Sequence, residues 1–282
     1  MIISSLNMRG LGKSPKFPAL RRFYTKLHPD LVLIQETMSD SKKACNFFLR
    51  LFPGWEVCAV NADGRSGGLL CAWNPAMCKL VPFSLPSGIL LVGHLKGCTE
   101  VIKILNIYGP YRDREVFWNQ LENSGLLRDG HVILGGDLNF TWATEENWGN
   151  TRVDPLADFF IKIFGDAGLI DVRPVPMSPT WSNGRSGDMA ISKRLDCFFL
   201  SESLVAKVSR FRLWHAIQRV SDHHPVCLQI DLGENSFHCP FRFNSQWLDS
   251  PTYHRLVRDY WEKHRNVTVG KPWIGSLLNF GD

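Results

Sequence analysis

Five strand-like apolar runs in this chain each end in a side chain that resists burial. The residues are Asn7, Glu36, Asp137 with Asn139, Asp196, and Asp222 with His223. Short apolar runs bounded by turn formers read as buried strands. A carboxylate, amide or imidazole at the end of each is costly unless these groups meet water, a metal or one another. Any one of them alone reads as a helix cap or turn residue. Together they predict a shared acidic cleft at the ends of several strands.

The segments between these runs set the fold class. Residues 1–7 and 30–36 read as strands, as do 55–60, 68–73, 78–83, 89–95, 100–108, 131–135, 195–200, 207–215 and 225–230. Helical spacing occurs at Phe17, Leu20, Phe23/Tyr24 and Leu27, and again near 41–51, 113–127 and 154–167. Short turns between 55 and 108 favour antiparallel pairing, whereas intervening helices favour crossovers. The expected architecture is an α/β four-layer sandwich, two mixed β-sheets packed face to face and flanked by helices. At 282 residues and 44% hydrophobic content the chain can fill such a core.

Other segments take plainer readings. Asn61–Gly68 is read as a hairpin loop with positive-φ glycines, and Arg21/Arg22 and Lys42/Lys43 as solvated helix faces. The polar stretch 231–236 marks a domain edge, giving a main domain over 1–230 and an extension over 231–282. In that extension Tyr253, Leu256, Val257, Tyr260 and Trp261 predict an amphipathic helix near 251–264 that must pack on something.

The formal charge is +5. Residues 231–282 carry as many basic as acidic side chains, so the surplus lies in 1–230, and attraction for phosphate is expected there. Eight scattered cysteines without a Cys-x-x-Cys read as buried reduced thiols. The N-terminus has no leader pattern, and no apolar stretch approaches the roughly 18 residues needed for a bilayer span. An intracellular compartment and no membrane contact are expected.

The flanks of the polar positions narrow the reading. Ser5-Leu-Asn-Met-Arg-Gly-Leu11, Leu33-Ile-Gln-Glu-Thr37, Asn106-Ile-Tyr-Gly-Pro110, Gly135-Gly-Asp-Leu-Asn139, Arg194-Leu-Asp196 and Ser221-Asp-His-His-Pro225 occur in this order. The series resembles the endonuclease/exonuclease/phosphatase superfamily, which has the deoxyribonuclease I-like fold. Thr180-Trp-Ser-Asn-Gly-Arg185 and Arg194-Leu-Asp-Cys-Phe-Phe-Leu-Ser201 bring it near the apurinic/apyrimidinic-type endonuclease domain of plant LINE-type retrotransposon proteins. Pro240-Phe-Arg-Phe243 and Trp247 resemble the connector to a reverse transcriptase, whose own polymerase signature is absent from this sequence.

The resemblance implies a Mg²⁺ cofactor, replaceable by Mn²⁺, with Glu36 as principal ligand, Asn7 beside it through its amide oxygen and Asp222 in the outer shell. It implies that Asp137 orients or deprotonates the attacking water, that Asn139, Tyr108 and Arg194 contact the substrate, and that His223 faces the scissile phosphate with Asp196 behind it. His224, next in an extended segment, should project the other way. Leu6 departs from the tryptophan usual in LINE proteins, and Arg9 stands where repair endonucleases have a second acid. Lys193 replaces a small polar residue and is taken as a surface change.

The expected activity is nicking of duplex DNA by a monomer, with a nuclear location implied by the family. Two alternatives stand beside it: a phosphatase or phosphodiesterase of the same fold acting on a phospholipid or inositol phosphate, and a truncated, non-enzymatic retroelement remnant.

Overall fold

The computed structural model describes residues 1–12, 16–64, 66–216, 220–232, 254–255 and 257–259. The chain divides into two compact units, Met1–Ser236 and Phe237–Asp282. In the second unit the described residues are helical and exposed. Val257 is the one member of the expected stripe among them; Tyr253, Leu256, Tyr260 and Trp261 lie outside the described residues, as do Cys239 and the connector-like motif.

In chain order the first unit runs β1 (Ile2–Asn7), α1 (Lys16–Leu27), β2 (Leu31–Gln35), α2 (Ser41–Leu51), β3 (Glu56–Asp63), β4 (Ser66–Trp73), β5 (Cys78–Leu85), β6 (Gly88–Leu95) and β7 (Ile102–Tyr108). It continues with α3 (Arg114–Asn123), β8 (His131–Asp137), β9 (Asn147–Gly149), α4 (Ala157–Asp166), β10 (Leu169–Val172), β11 (Trp181–Ser182) and β12 (Ile191–Lys193). Last come β13 (Asp196–Ser201), α5 (Glu202–Val205), β14 (Arg210–His215) and β15 (Val226–Asp231). One six-stranded sheet has the order β14-β15-β1-β2-β4-β3 and the other β10-β13-β8-β7-β6-β5; β11-β12-β9 form a small third sheet. Parallel pairing occurs at β1/β2 and β7/β8.

Strand periodicity explains the layering. Side chains alternate faces along a strand, and β2 is buried at every position, so it needs partners on both sides. Its Leu31 and Leu33 join Ile3, Cys71, Leu91, Ile104, Ile133, Phe198 and Leu228 in the core between the two sheets. Its Val32 and Ile34 face outward to Leu20 and Tyr24 of α1 and Ala44 and Phe48 of α2. On the other sheet, Leu105, Leu134 and Phe199 pack outward on Trp118 of α3 and on Phe160 and Phe164 of α4. The result is the expected helix–sheet–sheet–helix sandwich.

The intersheet core becomes polar toward one edge. Gln35 Nε2 donates to Asn106 Oδ1 at 2.7 Å and to Ser5 Oγ at 3.1 Å, while Asn106 Nδ2 donates to the Ile34 and Leu70 carbonyls at 3.1 and 3.0 Å. All three side chains are fully buried, so their mutual satisfaction is required rather than optional. The Gly135-Gly136 pair has a steric cause in the same region. A Cβ on Gly136 would stand 1.9 Å from the Ile107 carbonyl oxygen, and one on Gly135 would stand 2.4 Å from the Phe198 ring.

Several boundaries differ from the sequence reading. The helix expected over 113–127 stops at Asn123, where Ser124 caps it and Gly125 turns left-handed. The helix expected from 154 begins at Ala157, and Asp154 instead pairs with Arg114. Strands β9 to β12 had no expectation, because two to four residues carry too little periodicity. The Asn61–Gly68 stretch is a hairpin, as expected, with Gly64, Gly67 and Gly68 at positive φ. Arg21, Arg22, Lys42 and Lys43 are exposed. Cys71, Cys78, Cys197 and Cys227 are buried free thiols, whereas Cys45, Cys58 and Cys98 are free but only partly buried.

Asn106→Ala should therefore strand the Gln35 amide and two backbone carbonyls inside the sandwich. Its expected cost is about 3 kcal/mol, read as a lower urea midpoint at unchanged m-value. An unchanged midpoint would mean that this polar layer does not tie the sheets together.

Candidate active site

The polar edge is where the sequence-predicted residues meet. Parallel register sets Tyr108 beside Asp137, and antiparallel register sets Asp196 on its other side. From the facing sheet, Asn7 Nδ2 donates to Asp137 Oδ2 at 2.8 Å, joining β1 to β8. Glu36 directly follows Gln35, so simple alternation would turn it toward the helices. Its φ of 48° breaks that alternation, and the buried carboxylate instead accepts a hydrogen bond from the Tyr108 hydroxyl of the other sheet. Asn139 is also left-handed, with φ 54°. Its backbone N–H donates to Asp137 Oδ1 at 3.0 Å and its Nδ2 to the Gly109 carbonyl at 2.6 Å.

His223 lies just before β15 and is almost fully buried. Its Nδ1 is 2.8 Å from Asp196 Oδ2, and its Nε2 is 3.7 Å from Asp137 Oδ2. The neighbouring His224 takes a different environment, stacking on His215 with ring centroids 6.2 Å apart. Asp222 completes the edge, one carboxylate oxygen accepting from Trp181 Nε1 at 3.0 Å.

Electrostatics follow from crowding acids in a dry place. Burial, then the nearby Asp196 carboxylate, push the Asp137 carboxyl well above its ordinary range, partly offset by His223 and Asn7. Burial alone would lower the His223 imidazole, but Asp196 against its ring, with Asp137 and Asp222 beyond, raises it to about 9. Burial and the Glu36 contact push the Tyr108 phenol upward. The edge thus presents a cationic imidazole, a raised carboxyl and phenolic and amide donors, a set suited to gripping an anion and moving a proton.

The donor set also fits a divalent cation. Carboxylate and amide oxygens are what Mg²⁺ and Mn²⁺ take, and Asn139 Oδ1 and Asp196 Oδ1 are buried without a hydrogen-bond partner. Asp137, Asp196 and His223 each offer a ligand atom within 4.8 Å of the others. In that trio the imidazole already balances part of the charge, whereas Glu36, Asn7 and Asp222 offer oxygens alone.

Arg194 is a correction. Read as a substrate contact, it is instead buried, with Nη1 2.6 Å from Glu146 Oε1 and Nη2 2.5 Å from Asp171 Oδ1. Its charge is spent on two acids from distant segments. Conversely, three residues outside the predicted site set, of which Arg9 enters the sequence reading only as a departure from the family pattern, support the edge. Thr180 Oγ1 accepts from the backbone N–H groups of Leu195 and Asp196, both at 3.0 Å, and so holds the start of β13. Trp181 orients Asp222, and Arg9 reaches both Glu36 and Asp222. The Thr180-Trp181 dipeptide was visible as a motif; only the fold supplies its role.

A sequence profile described as the Endonuclease/Exonuclease/phosphatase family matches residues 4–223. None of the curated proteins matches the chain in sequence. Among solved structures, the chain is similar to the 3'-5' exonuclease NExo from Neisseria meningitidis, with 20% identity, TM-score 0.63 and coverage of 82% of this chain and 100% of that one. It is similar to the AP endonuclease LMAP from Leishmania major, with 16% identity, TM-score 0.65 and coverage of 80% and 86%. It is also similar to the endonuclease domain of TRAS1, a telomere-specific non-LTR retrotransposon, with 18% identity, TM-score 0.61 and coverage of 81% and 97%. At these identities the likeness speaks for the fold. No helix among the described residues is long and apolar enough to cross a membrane.

The His223–Asp196 pair has a measurable signature in metal-free protein. By NMR the His223 imidazole should titrate near 9, and in Asp196→Asn at or below the ordinary 6.5. A folded-state pKa above the unfolded one means that the pair's stabilisation is complete below pH 6.5 and disappears as pH rises through about 9. The thermal midpoint should fall across that window in wild type and be flatter in the variant. A wild-type imidazole titrating below 6.5 would show that Asp196 does not hold the cation.

Proposed function

The chain belongs to the endonuclease/exonuclease/phosphatase family, and from that premise we propose that it is a Mg²⁺- or Mn²⁺-dependent phosphodiesterase that nicks duplex DNA, as at the start of target-primed retrotransposition. The observation carrying this reading is the meeting of Asn7, Glu36, Tyr108, Asp137, Asn139, Asp196, Asp222 and His223 at one edge of the sandwich, with His223 between Asp196 and Asp137.

Hydrolysis of a phosphodiester asks for three things: charge on the phosphate neutralised, a water made nucleophilic, and the departing oxygen stabilised in line. Glu36 would be the principal ligand for the divalent cation, with the Asn7 amide oxygen beside it and Asp222 in the outer shell. When bound there, the cation would neutralise phosphate charge and stabilise the leaving oxygen. Asp137, in its ionised form, orients the attacking water and accepts its proton; the Asn7 amide holds the carboxylate for that task. Tyr108 and the Asn139 amide contact non-bridging oxygens. The His223 cation faces the phosphate, with its ring orientation and charge fixed by Asp196.

DNA is favoured as substrate over a phospholipid or inositol phosphate by the relatives' descriptions, which include a retrotransposon endonuclease domain and a Neisseria 3' phosphatase bound to a product DNA hairpin. The positive surplus of residues 1–230 points the same way.

Supercoiled plasmid should be nicked with Mg²⁺ and left intact with EDTA. His223→Ala should slow nicking by a few hundredfold, equivalent to about 3–4 kcal/mol for a charge-assisted contact made mainly in the transition state, with little change in DNA affinity. His224→Ala should retain most activity. Equal rates for the two variants at equal folded fraction would unseat the histidine assignment, and faster turnover of inositol phosphates or sphingomyelin than of DNA would unseat the substrate class.

A further inference from the structure

Arg9 touches all three of the residues assigned above to the cation. Its backbone N–H donates to Asn7 Oδ1 at 3.0 Å, its Nη1 lies 3.5 Å from Glu36 Oε2, and its Nε lies 3.4 Å from Asp222 Oδ1. Tyr108 engages the other Glu36 oxygen, so Arg9 stands at the carboxylate oxygen that Tyr108 leaves. The backbone is built to hold it there. Arg9 is left-handed at φ 46°, and the Lys16 ammonium gathers the carbonyls of Met8 at 2.6 Å and Gly10 at 2.8 Å on either side of it. The Gly10 N–H also donates to the Glu36 carbonyl at 2.8 Å.

Resting on the metal assignment under Proposed function, we propose that Arg9 is a built-in counter-cation that occupies the Glu36–Asp222 pair and is displaced by the divalent ion. Two carboxylates with one buried member repel each other and lack solvation. The guanidinium offsets that cost while the site is empty of metal and must release both oxygens when metal enters. Since the Arg9 side chain is 43% exposed, it can rotate into solvent without disturbing the core. Metal affinity is therefore weakened by the energy of the contacts it gives up. The same exchange makes the metal-free fold less dependent on the ion, because Glu36 is never left without a positive partner.

The test compares full-length wild type, Arg9→Met and Glu36→Gln by Mn²⁺ calorimetry and by thermal midpoint with EDTA and with saturating Mn²⁺. Removing two partly exposed ion pairs should tighten Mn²⁺ binding in Arg9→Met on the order of tenfold. Its midpoint in EDTA should be lower than that of wild type, and its gain on adding Mn²⁺ should be larger. Glu36→Gln should lose affinity. Equal or weaker Mn²⁺ binding by Arg9→Met, with affinity still lost in Glu36→Gln, overturns the counter-cation role and leaves the metal site standing. Affinity unaffected by Glu36→Gln, or no binding by any of the three, overturns the metal assignment and this inference with it.

Discussion

The hydrogen bond from Asn7 to Asp137 joins two sheets whose interface is mostly apolar, and the polar layer beneath it decides where those sheets sit. An interface of leucine, isoleucine and phenylalanine side chains tolerates sliding, because dispersion contacts have little directionality. The Ser5–Gln35–Asn106 layer does not. Gln35 and Asn106 have amide donors that find acceptors at one alignment, where the Ile34 and Leu70 carbonyls are within reach. A step along either strand would leave these groups buried and unpaired, at a cost comparable to a protein's net stability. Each inward file therefore grades along its length: Ile3, Ser5, Asn7 on β1; Leu31, Leu33, Gln35 on β2; Ile104, Asn106, Tyr108 on β7. The apolar end secures the sandwich, the neutral polar layer aligns it, and the ionisable end is the candidate site.

That alignment creates an imbalance of charge at the edge. Glu36, Asp137, Asp196 and Asp222 are held close to two cationic side chains, His223 and Arg9. Burial first, and then the neighbouring Asp196 carboxylate, raise the Asp137 carboxyl at this edge. A region that forces several acids together without enough internal counter-charge is prepared for a cation or for a proton. The two histidines in sequence share none of this. His223 is drawn into the acids, while His224 donates its backbone N–H to the Thr180 carbonyl at 2.7 Å and keeps its ring on His215.

The strands bearing the site were legible because strand periodicity and end residues are local properties. The continuous apolar run of β2, and the polar group that closes it, survive without knowledge of what packs against them. Arg194 was misread for the converse reason. Beside Asp196 it has the chemistry of a phosphate contact, and only the approach of Glu146 and Asp171, 48 and 23 residues away, reveals it as a neutralised ion pair. Arg9 was visible as a departure from a pattern, but its three contacts span segments brought together by folding. Thr180 and Trp181 act on Asp196 and Asp222 through backbone and indole hydrogen bonds that no spacing encodes. The three-residue strands β9 and β12 escaped because they are stabilised by pairing with each other, not by a pattern of their own.

Backbone conformation carries the remaining information. Arg9, Glu36, Met38 and Asn139 all adopt positive φ, which costs a non-glycine residue on the order of 1 kcal/mol or more. Such a cost at four positions near one edge must be offset by contacts that allow no alternative. At Arg9, Glu36 and Met38 the β1/β2 ladder provides them by continuing past the strand ends: Met8 N–H to the Gln35 carbonyl at 2.9 Å, Gly10 N–H to Glu36 at 2.8 Å, and Leu11 N–H to Thr37 at 3.0 Å. On the other flank, Thr37 and Met38 donate to Gly68 and Gly67, both at 3.0 Å. Gly68 must lack a side chain there, since a Cβ would fall 2.3 Å from Thr37 Oγ1. Glu36 is thus clamped from both sides in a conformation that strand geometry opposes, and this clamping is what turns its carboxylate away from the helices and toward Tyr108. The glycine-rich hairpin, far from Glu36 in sequence, holds the residues after that glutamate through the backbone carbonyls of Gly67 and Gly68.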